Sequence, residues 1–156
     1  MPKIDIDRIS LESATHYPEP FRQAVLGRLR KRLGNAAGLD QFGVNLTTLK
    51  PGSWSSQRHW HSAEDELIYV LSGELVLCED DGEALLKAGD AAGWKAGAGN
   101  GHCLINRTDR DAVYLEIGSR SAREQVEYPD IDMRFERDEN GSRYLRRSGE
   151  PYPTAG

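Results

Sequence analysis

The sequence predicts an all-β fold in which two antiparallel sheets pack face to face as a barrel. Three observations predict it. Short runs of β-type residues follow one another between Phe42 and Ile117, turn signals separate these runs, and helical periodicity is absent from the same region. With 156 residues, the chain is long enough for one domain with a buried core and short for two.

Seven strands are predicted in this region. They cover Phe42–Leu49, Gln57–His61, Glu66–Leu71, Glu74–Glu79, Glu83–Lys87, His102–Asn106 and Ala112–Ile117. Glycine or proline beside small polar residues marks the turns between them. Asp81-Gly82 is the clearest turn, because Asp-Gly favours the positive φ angles of a type I′ hairpin. The strands on either side of it are therefore predicted to pair antiparallel.

The two ends of the chain are predicted to flank this barrel within the same domain. Residues 1–41 form an N-terminal arm, residues 42–118 the barrel core, and residues 119–156 a C-terminal hairpin and tail. Apolar residues recur at helical spacing from Phe21 to Leu33 and favour a short helix, with an extended strand over Arg28–Leu33 as the alternative. The turn Asn140-Gly141 separates two alternating segments, which predicts a hairpin on the outside of the barrel.

Composition and charge exclude several classes of protein. No apolar run approaches the ~20 residues of a membrane span, and the N-terminus lacks an apolar signal segment, so we expect a cytoplasmic protein with no membrane partner. A formal net charge of -5 argues against sequence-independent binding to nucleic acid. The basic run from Arg28 to Arg32 is interpreted as a solvated surface stretch.

The two cysteines, Cys78 and Cys103, belong to no CxxC pair. We predict that both are buried, reduced and unpaired. Strand alternation places Cys103 on the opposite face from its neighbour His102.

A metal site inside the barrel is predicted from four side chains, those of His59, His61, Glu66 and His102. Residues two apart in a strand point to the same face, so His59 and His61 project together while Trp60 points away. Polar, turn-like residues follow His61 and let a new strand begin with Glu66 facing inward. Three imidazoles and one carboxylate form a donor set that suits one divalent ion of iron, manganese, nickel, cobalt or zinc.

These residues resemble the two sequence motifs of the cupin superfamily. The first motif is matched by Gly52, His59, His61, Glu66 and Gly73, with six rather than the usual five residues between the first glycine and the first histidine. The second is matched by Gly89, Gly97, His102 and Asn106, with Lys95 where proline is usual and two extra residues before the histidine. The resemblance covers about half the chain, and it implies a cupin double-stranded β-helix, a jelly-roll barrel, with a bound metal ion.

More closely, the chain is similar to small single-domain bacterial cupins of the sugar-phosphate-isomerase-like group. The segments that carry this similarity are FGVNLT, SSQRHWHSAEDE, NRTDRDAVYLEIG and YPDID. Activities in that group are mostly unassigned, so the resemblance implies a fold and a metal rather than a reaction.

Three functions are compatible with such a site. The first is an enzyme, an isomerase or lyase, that uses the metal as a Lewis acid on a small oxygen-rich substrate. The second is a non-haem dioxygenase, and the third is a sensor or binding module that holds a small molecule without chemistry. Candidate catalytic residues for proton transfer are Glu64, Asp65, Tyr69 and Lys95.

Further expectations concern partners. Candidate contacts for an anionic group on the ligand are Lys95, Arg58 and Arg107. We also expect a homodimer, because symmetric dimers are the commonest oligomers and protect exposed sheet edges. No nucleic-acid partner is expected.

Overall fold

The computed structural model describes residues 3–153. Within that range the chain forms twelve strands, one single-turn α-helix and two 3₁₀ turns. The strands are β1 (Arg28–Arg32), β2 (Phe42–Leu49), β3 (Trp60–His61), β4 (Glu66–Ser72), β5 (Glu74–Glu79), β6 (Gly82–Lys87), β7 (Ala91–Trp94), β8 (Cys103–Ile105), β9 (Ala112–Ser119), β10 (Glu124–Tyr128), β11 (Met133–Asp138) and β12 (Gly141–Leu145). The helix α1 covers Leu33–Ala36, and the 3₁₀ turns cover Ile6–Arg8 and Gln23–Val25.

The strands form two antiparallel layers. One layer is a five-stranded sheet in the order β1-β2-β9-β4-β7. The other consists of two smaller sheets, β12-β11-β10-β3 and β6-β5-β8, which meet at an isolated bridge between His59 and His102. In that bridge the His59 amide donates to the His102 carbonyl at 3.1 Å, and the His102 amide donates back at 2.8 Å. This arrangement confirms the predicted all-β double-stranded β-helix.

Local alternation predicted the long strands of the barrel and missed two others. β2, β4, β5, β6 and β9 lie where they were predicted, whereas the segments carrying His59 and His102 form only the short strands β3 and β8. β7 has the sequence Ala-Ala-Gly-Trp, which lacks β-branched residues, and it exists because it pairs with β4. β10 was also missed, and it pairs with β3 and β11.

The β5–β6 hairpin forms as predicted but not with the predicted turn. The register pairs Glu79 with Gly82, so the two loop residues are Asp80 and Asp81. No non-glycine residue within 3–153 has a positive φ, which excludes a type I′ turn here. Gly82 carries the positive φ instead, at +130°.

The helix predicted between Phe21 and Leu33 is wrong, and the extended alternative is nearly right. β1 covers Arg28–Arg32 and pairs with β2 from Arg28 opposite Leu49 to Arg32 opposite Asn45. Pairing to a strand distant in sequence outweighs the local helical spacing. The solvated interpretation of this basic run is also wrong for Arg28, which is buried at 8% exposure.

The C-terminal hairpin forms as predicted by β11 and β12, but it is continuous with the barrel wall. β11 pairs with β10, and β10 pairs with β3 through Val126 opposite His61. The hairpin therefore extends the sheet that carries a predicted metal ligand.

Two groups of buried apolar side chains stabilise the fold. The barrel core lies between the five-stranded sheet and β6-β5-β8, and it consists of Leu49, Ile68, Val70, Leu75, Leu77, Leu86, Leu104, Ala112 and Tyr114. The arm–hairpin core joins the N-terminal arm to the C-terminal strands, and it consists of Tyr17, Val25, Val126, Tyr128 and Met133. Burial of apolar surface contributes about 25 cal/mol per Å² to the free energy of folding, so both cores stabilise the folded chain.

One motif glycine is required by its surroundings. Gly73, between β4 and β5, has a φ of +77°, and a Cβ atom there would lie 2.8 Å from the Asp111 carbonyl oxygen. A side chain would suffer both the left-handed backbone conformation and this clash. The predicted turn at this position is thereby explained.

The remaining expectations have different outcomes. Cys78 and Cys103 are cross-strand neighbours on β5 and β8 and are both free thiols, as predicted, although Cys78 is only half-buried. Burial raises the pKa of Cys103 to about 12. Among residues 3–153 no helix has the length and apolar character needed to cross a bilayer. The cytoplasmic location and the homodimer stay predictions.

Candidate metal centre

The four predicted ligands converge at the seam between the two layers. The Nε2 atoms of all three histidines surround one carboxylate oxygen, Oε2 of Glu66: His102 lies at 2.9 Å, His61 at 3.5 Å and His59 at 3.7 Å. The Nε2 atoms of His59 and His61 are 3.1 Å apart. Residues far apart in sequence thus present their metal-binding atoms to one point.

Backbone pairing explains this convergence. His59 and His102 are directly opposite in the bridge that joins the two small sheets, and His61 is held in β3 by β10. Glu66 begins β4 after the predicted turn, and the Asp65 carboxylate fixes that turn by accepting from the Ala96 amide at 2.8 Å. Glu66 then shares the inward face of β4 with the core residue Ile68.

His59 presents a free electron pair to the cluster. Its Nδ1 lies 3.0 Å from the Gln57 carbonyl oxygen, which can only accept, and 3.1 Å from the Ser56 hydroxyl; the tautomer that donates from Nδ1 to this carbonyl leaves Nε2 unprotonated. Burial lowers the pKa of His59, which keeps the imidazole neutral. A neutral imidazole with its Nε2 unprotonated is the form that binds a metal ion.

The neighbours of Glu66 and His102 also favour ligation. Burial alone would raise the pKa of Glu66, but the neighbouring imidazoles, above all that of His102 at 2.9 Å, hold it well below its usual range. The His102 ring stacks on Trp94 with centroids 3.7 Å apart and planes within 5°. The carboxylate is therefore ionised, and the indole limits rotation of the imidazole.

Glu124, on β10, is a site residue that sequence reasoning missed. It is 3% exposed, and its Oε1 accepts from Ser62 Oγ at 2.8 Å and from the amides of Ser62 and Ala63 at 2.9 and 3.1 Å. Its Oε2 lies 3.7 Å from His61 Nδ1, and neither of these buried atoms has a hydrogen-bond partner among residues 3–153. Burial would raise the pKa of Glu124, but His61 and the Ser62 and Ala63 donors hold it at about 2. A carboxylate behind a metal-binding histidine orients the ring and increases its basicity.

The cluster opens into a cavity of about 590 Å³. Of the four candidate catalytic residues, the structure brings Glu64 and Asp65 to its wall. Glu64 forms an ion pair with Arg137 and accepts from the Ser121 amide at 2.8 Å. Tyr69 lies on the outer face of β4 at 41% exposure, and Lys95 is exposed, so neither lines the cavity.

The candidate anion contacts lie elsewhere as well. Arg58 forms ion pairs with Asp130 and Asp80, and Arg107 forms one with Glu83, all outside the cavity wall. The arginines that line the cavity include Arg120, Arg137 and three from β1, which are Arg28, Arg30 and Arg32. The two-residue spacing of the β1 arginines is the signal in the sequence. It indicates that they share one face only once the segment is known to be a strand.

The second motif also contains a purely structural residue. Asn106 is fully buried, and its Nδ2 donates to the carbonyls of Leu49 and Arg110 at 2.8 and 2.7 Å. Its Oδ1 accepts from the amide and hydroxyl of Thr108. It therefore fastens the loop before β9.

The donor set fits a divalent metal ion. His59, His61 and Glu66 each offer an atom within 4.8 Å of the others, and His102 contacts the same carboxylate. Mixed nitrogen and oxygen ligands of this kind suit iron, manganese, nickel, cobalt or zinc. The carboxylate behind His61 is the type of outer partner that such ligands require.

Comparison with known proteins identifies the family to which this fold belongs. A family model for the cupin domain matches residues 45–118. A sugar phosphate isomerase of the cupin superfamily from Silicibacter pomeroyi is 43% identical, with a TM-score of 0.93 over 99% of this chain and 100% of its own. A protein from Acidithiobacillus ferrooxidans, provisionally assigned the same activity, is 27% identical with a TM-score of 0.81 over 97% of this chain and 94% of its own.

More distant structures share the fold alone. A polyketide cyclase from Streptomyces resistomycificus is 19% identical, with a TM-score of 0.61 over 76% of this chain and 79% of its own. No curated protein sequence matches the chain. The match over the full length of the Silicibacter protein, together with the domain match, shows that the chain belongs to the cupin superfamily.

Proposed function

We propose that the protein is a metal-dependent enzyme that isomerises a small hydroxy-carbonyl compound of the sugar phosphate class. The observation that carries this proposal is the meeting of three imidazole Nε2 atoms at Glu66 Oε2 on the wall of a cavity of about 590 Å³. The full-length relative described as a sugar phosphate isomerase supports the choice of reaction.

An isomerisation of this class needs no external oxidant or reductant. One proton leaves the carbon that carries the hydroxyl group and one is added to the former carbonyl carbon, while the hydroxyl proton passes to the former carbonyl oxygen. A divalent ion held by the cluster would supply Lewis acidity to the two substrate oxygens. The protein must then position the substrate and move the carbon-bound proton.

Glu64 is the proposed carrier of that proton. Arg137 and the Ser121 amide both engage its Oε1. Its Oε2 lies beside the cluster, 4.0 Å from His61 Nδ1, and remains available to accept a proton. The ion pair with Arg137 fixes the orientation of the carboxylate, which a proton-transfer group requires.

The rest of the wall suits a polyhydroxylated molecule. Tyr17, Tyr128 and Tyr144 line the cavity, and the ring of Tyr17 contacts each of the other two edge to face. Burial raises the pKa of each of these phenols, so they remain neutral hydroxyl groups that can donate to and accept from sugar hydroxyls. Their rings also exclude water from the reacting end of the substrate.

The test measures metal content and proton exchange in the same preparations. Wild-type protein loaded with each candidate ion is incubated in D₂O with three- to six-carbon aldose and ketose phosphates, and exchange and isomer ratio are followed by NMR. We expect His61→Ala to lower metal affinity by more than ~100-fold, beyond the range seen when an outer partner is lost, and to abolish exchange. His16→Ala is the matched control for metal content, because His16 lies outside the cluster.

Two results would replace the proposal. Oxygen consumption with an iron-loaded protein, and no isomer formed, would assign the dioxygenase function. Recovery of every bound sugar phosphate unchanged, without deuterium, would assign a binding module or sensor. A melting curve of each variant separates loss of the ion from loss of the fold.

A further inference from the structure

A row of unpaired polar atoms crosses the inner face of the five-stranded sheet. The register places Arg30 opposite Thr47, and Thr47 opposite Tyr114. Directly opposite residues in antiparallel strands project to the same face. Each of the three has a buried polar atom with no hydrogen-bond partner within residues 3–153: Arg30 Nε, Thr47 Oγ1 and Tyr114 Oη. Neighbouring buried groups that all lack protein partners require a polar partner from outside the chain, either ordered water or a ligand.

Arg28 adds an unbalanced charge beside this row. It is 8% exposed and lines the cavity, and its Nη1 donates to the Ser55 carbonyl at 2.5 Å. Within the described part of the chain, no carboxylate oxygen lies within ion-pair distance of it. Arg30, by contrast, is paired with Glu116 at 3.2 Å. A buried charge without a counter-ion is costly, so the cavity favours an anion at this position.

Arg30 and Tyr114 line the same cavity as the metal cluster, and Thr47 lies between them on the same sheet face. Tyr114 is opposite Val70 on β4, and Glu66 lies four residues earlier on that strand. Four residues of strand span about 13 Å, and Ile68, which lies between them on the same face, also lines the cavity. A ligand of a few carbons can therefore reach from the row to the cluster.

We propose that Arg28, Arg30, Thr47 and Tyr114 bind the phosphate monoester group of a small substrate whose carbonyl end lies at the metal cluster. This inference rests on the proposed function for the role of the cluster, but the anion site is testable without it. Two guanidinium groups and two hydroxyl groups offer more hydrogen-bond donors than the two oxygens of a carboxylate can accept in good geometry. A phosphate monoester presents three terminal oxygens and matches this donor set better. Burial raises the pKa of Tyr114, so its hydroxyl group is a donor.

The experiment uses the chelator-treated full chain and inorganic phosphate as the probe. Phosphate binding is titrated by calorimetry at fixed ionic strength, with acetate and sulfate as the carboxylate and general oxyanion arms. We expect Arg28→Met to weaken phosphate binding about 10-fold or more, as for loss of a charged hydrogen bond, and Thr47→Val about 2- to 10-fold. Arg107→Met is the matched control and should bind phosphate like wild type.

Separate readouts keep this proposal distinct from the previous one. His61→Ala should keep phosphate binding while losing metal, and Arg28→Met should keep metal while losing phosphate binding. Equal phosphate affinity in wild type, Arg28→Met and Thr47→Val would overturn the site. Ordered water would then be the hydrogen-bond partner of the unpaired atoms. Tighter acetate than phosphate binding would overturn the phosphate assignment. If Arg28→Met fails to fold, Thr47→Val decides, because it removes a hydroxyl that has no protein partner.

Discussion

The barrel core and the arm–hairpin core flank the cavity and differ in composition. Most of the barrel core is aliphatic, from strands whose alternation is visible in the sequence. The arm–hairpin core is rich in aromatic residues, and Tyr17 and Tyr128 belong both to it and to the cavity wall. The barrel core also reaches the cavity wall, through Ile68, Leu104 and Tyr114, so the two cores supply different kinds of side chain to the same cavity.

Each core holds different ligands. Glu66 continues on β4 into the barrel-core residues Ile68 and Val70. His61 instead pairs with Val126 of the arm–hairpin core, on the strand that also carries Glu124. The cluster thus forms only when both cores are packed, which couples the ends of the chain to the metal site.

The largest effect is expected when one buried side chain is truncated in each core. Leu75 and Met133 are both fully buried, one in each core. We expect Leu75→Ala and Met133→Ala each to lower the free energy of unfolding by about 2–5 kcal/mol in denaturant titrations. Met133→Ala should also weaken metal binding more, because Met133 pairs with Tyr128 on the strand that positions Glu124. Equal losses of metal affinity in the two variants would refute the inference that the arm–hairpin core affects the cluster more than the barrel core does.

A smaller effect is expected from the contact behind His61. Glu124→Gln keeps the size of the side chain but removes its negative charge, so metal affinity should fall about 10- to 100-fold. The control is Glu127→Gln, on the same strand but an odd number of residues away and therefore on the opposite face. Competition titration with a metal-binding dye measures both. Unchanged metal affinity in Glu124→Gln would show that this carboxylate only accepts hydrogen bonds from Ser62 and Ala63 and does not act on His61.

The smallest effect is expected where an arginine lies outside both cores. Arg107 forms an exposed ion pair with Glu83, at 52% and 49% side-chain exposure. Exposed pairs contribute little to stability, so Arg107→Ala should leave the melting temperature, metal affinity and phosphate affinity unchanged within measurement. A clear drop in phosphate affinity would indicate that Arg107 contacts the anion, and it would contradict the placement of the anion site at the arginines of β1.

Local patterns were sufficient to predict the long barrel strands and the four side chains that converge in the cluster. The two-residue spacing of His59 and His61, the turn before Glu66 and the positive-φ turn at Gly73 are properties of neighbouring residues. They could be predicted because strand alternation and glycine conformations act over a few residues. The same reasoning failed for Arg28–Arg32, where helical spacing suggested the wrong element.

The sequence by itself determined the all-β class, the metal-type donor set and the positions of β2, β4, β5, β6 and β9. Only the tertiary structure decided which distant residues complete the site. Glu124 lies 63 residues from His61 in sequence, and the row from Arg30 through Thr47 to Tyr114 exists only through strand pairing. Such contacts depend on which strands become neighbours, and this is set by the burial of whole sheet faces and by backbone hydrogen bonds between segments rather than by any local pattern.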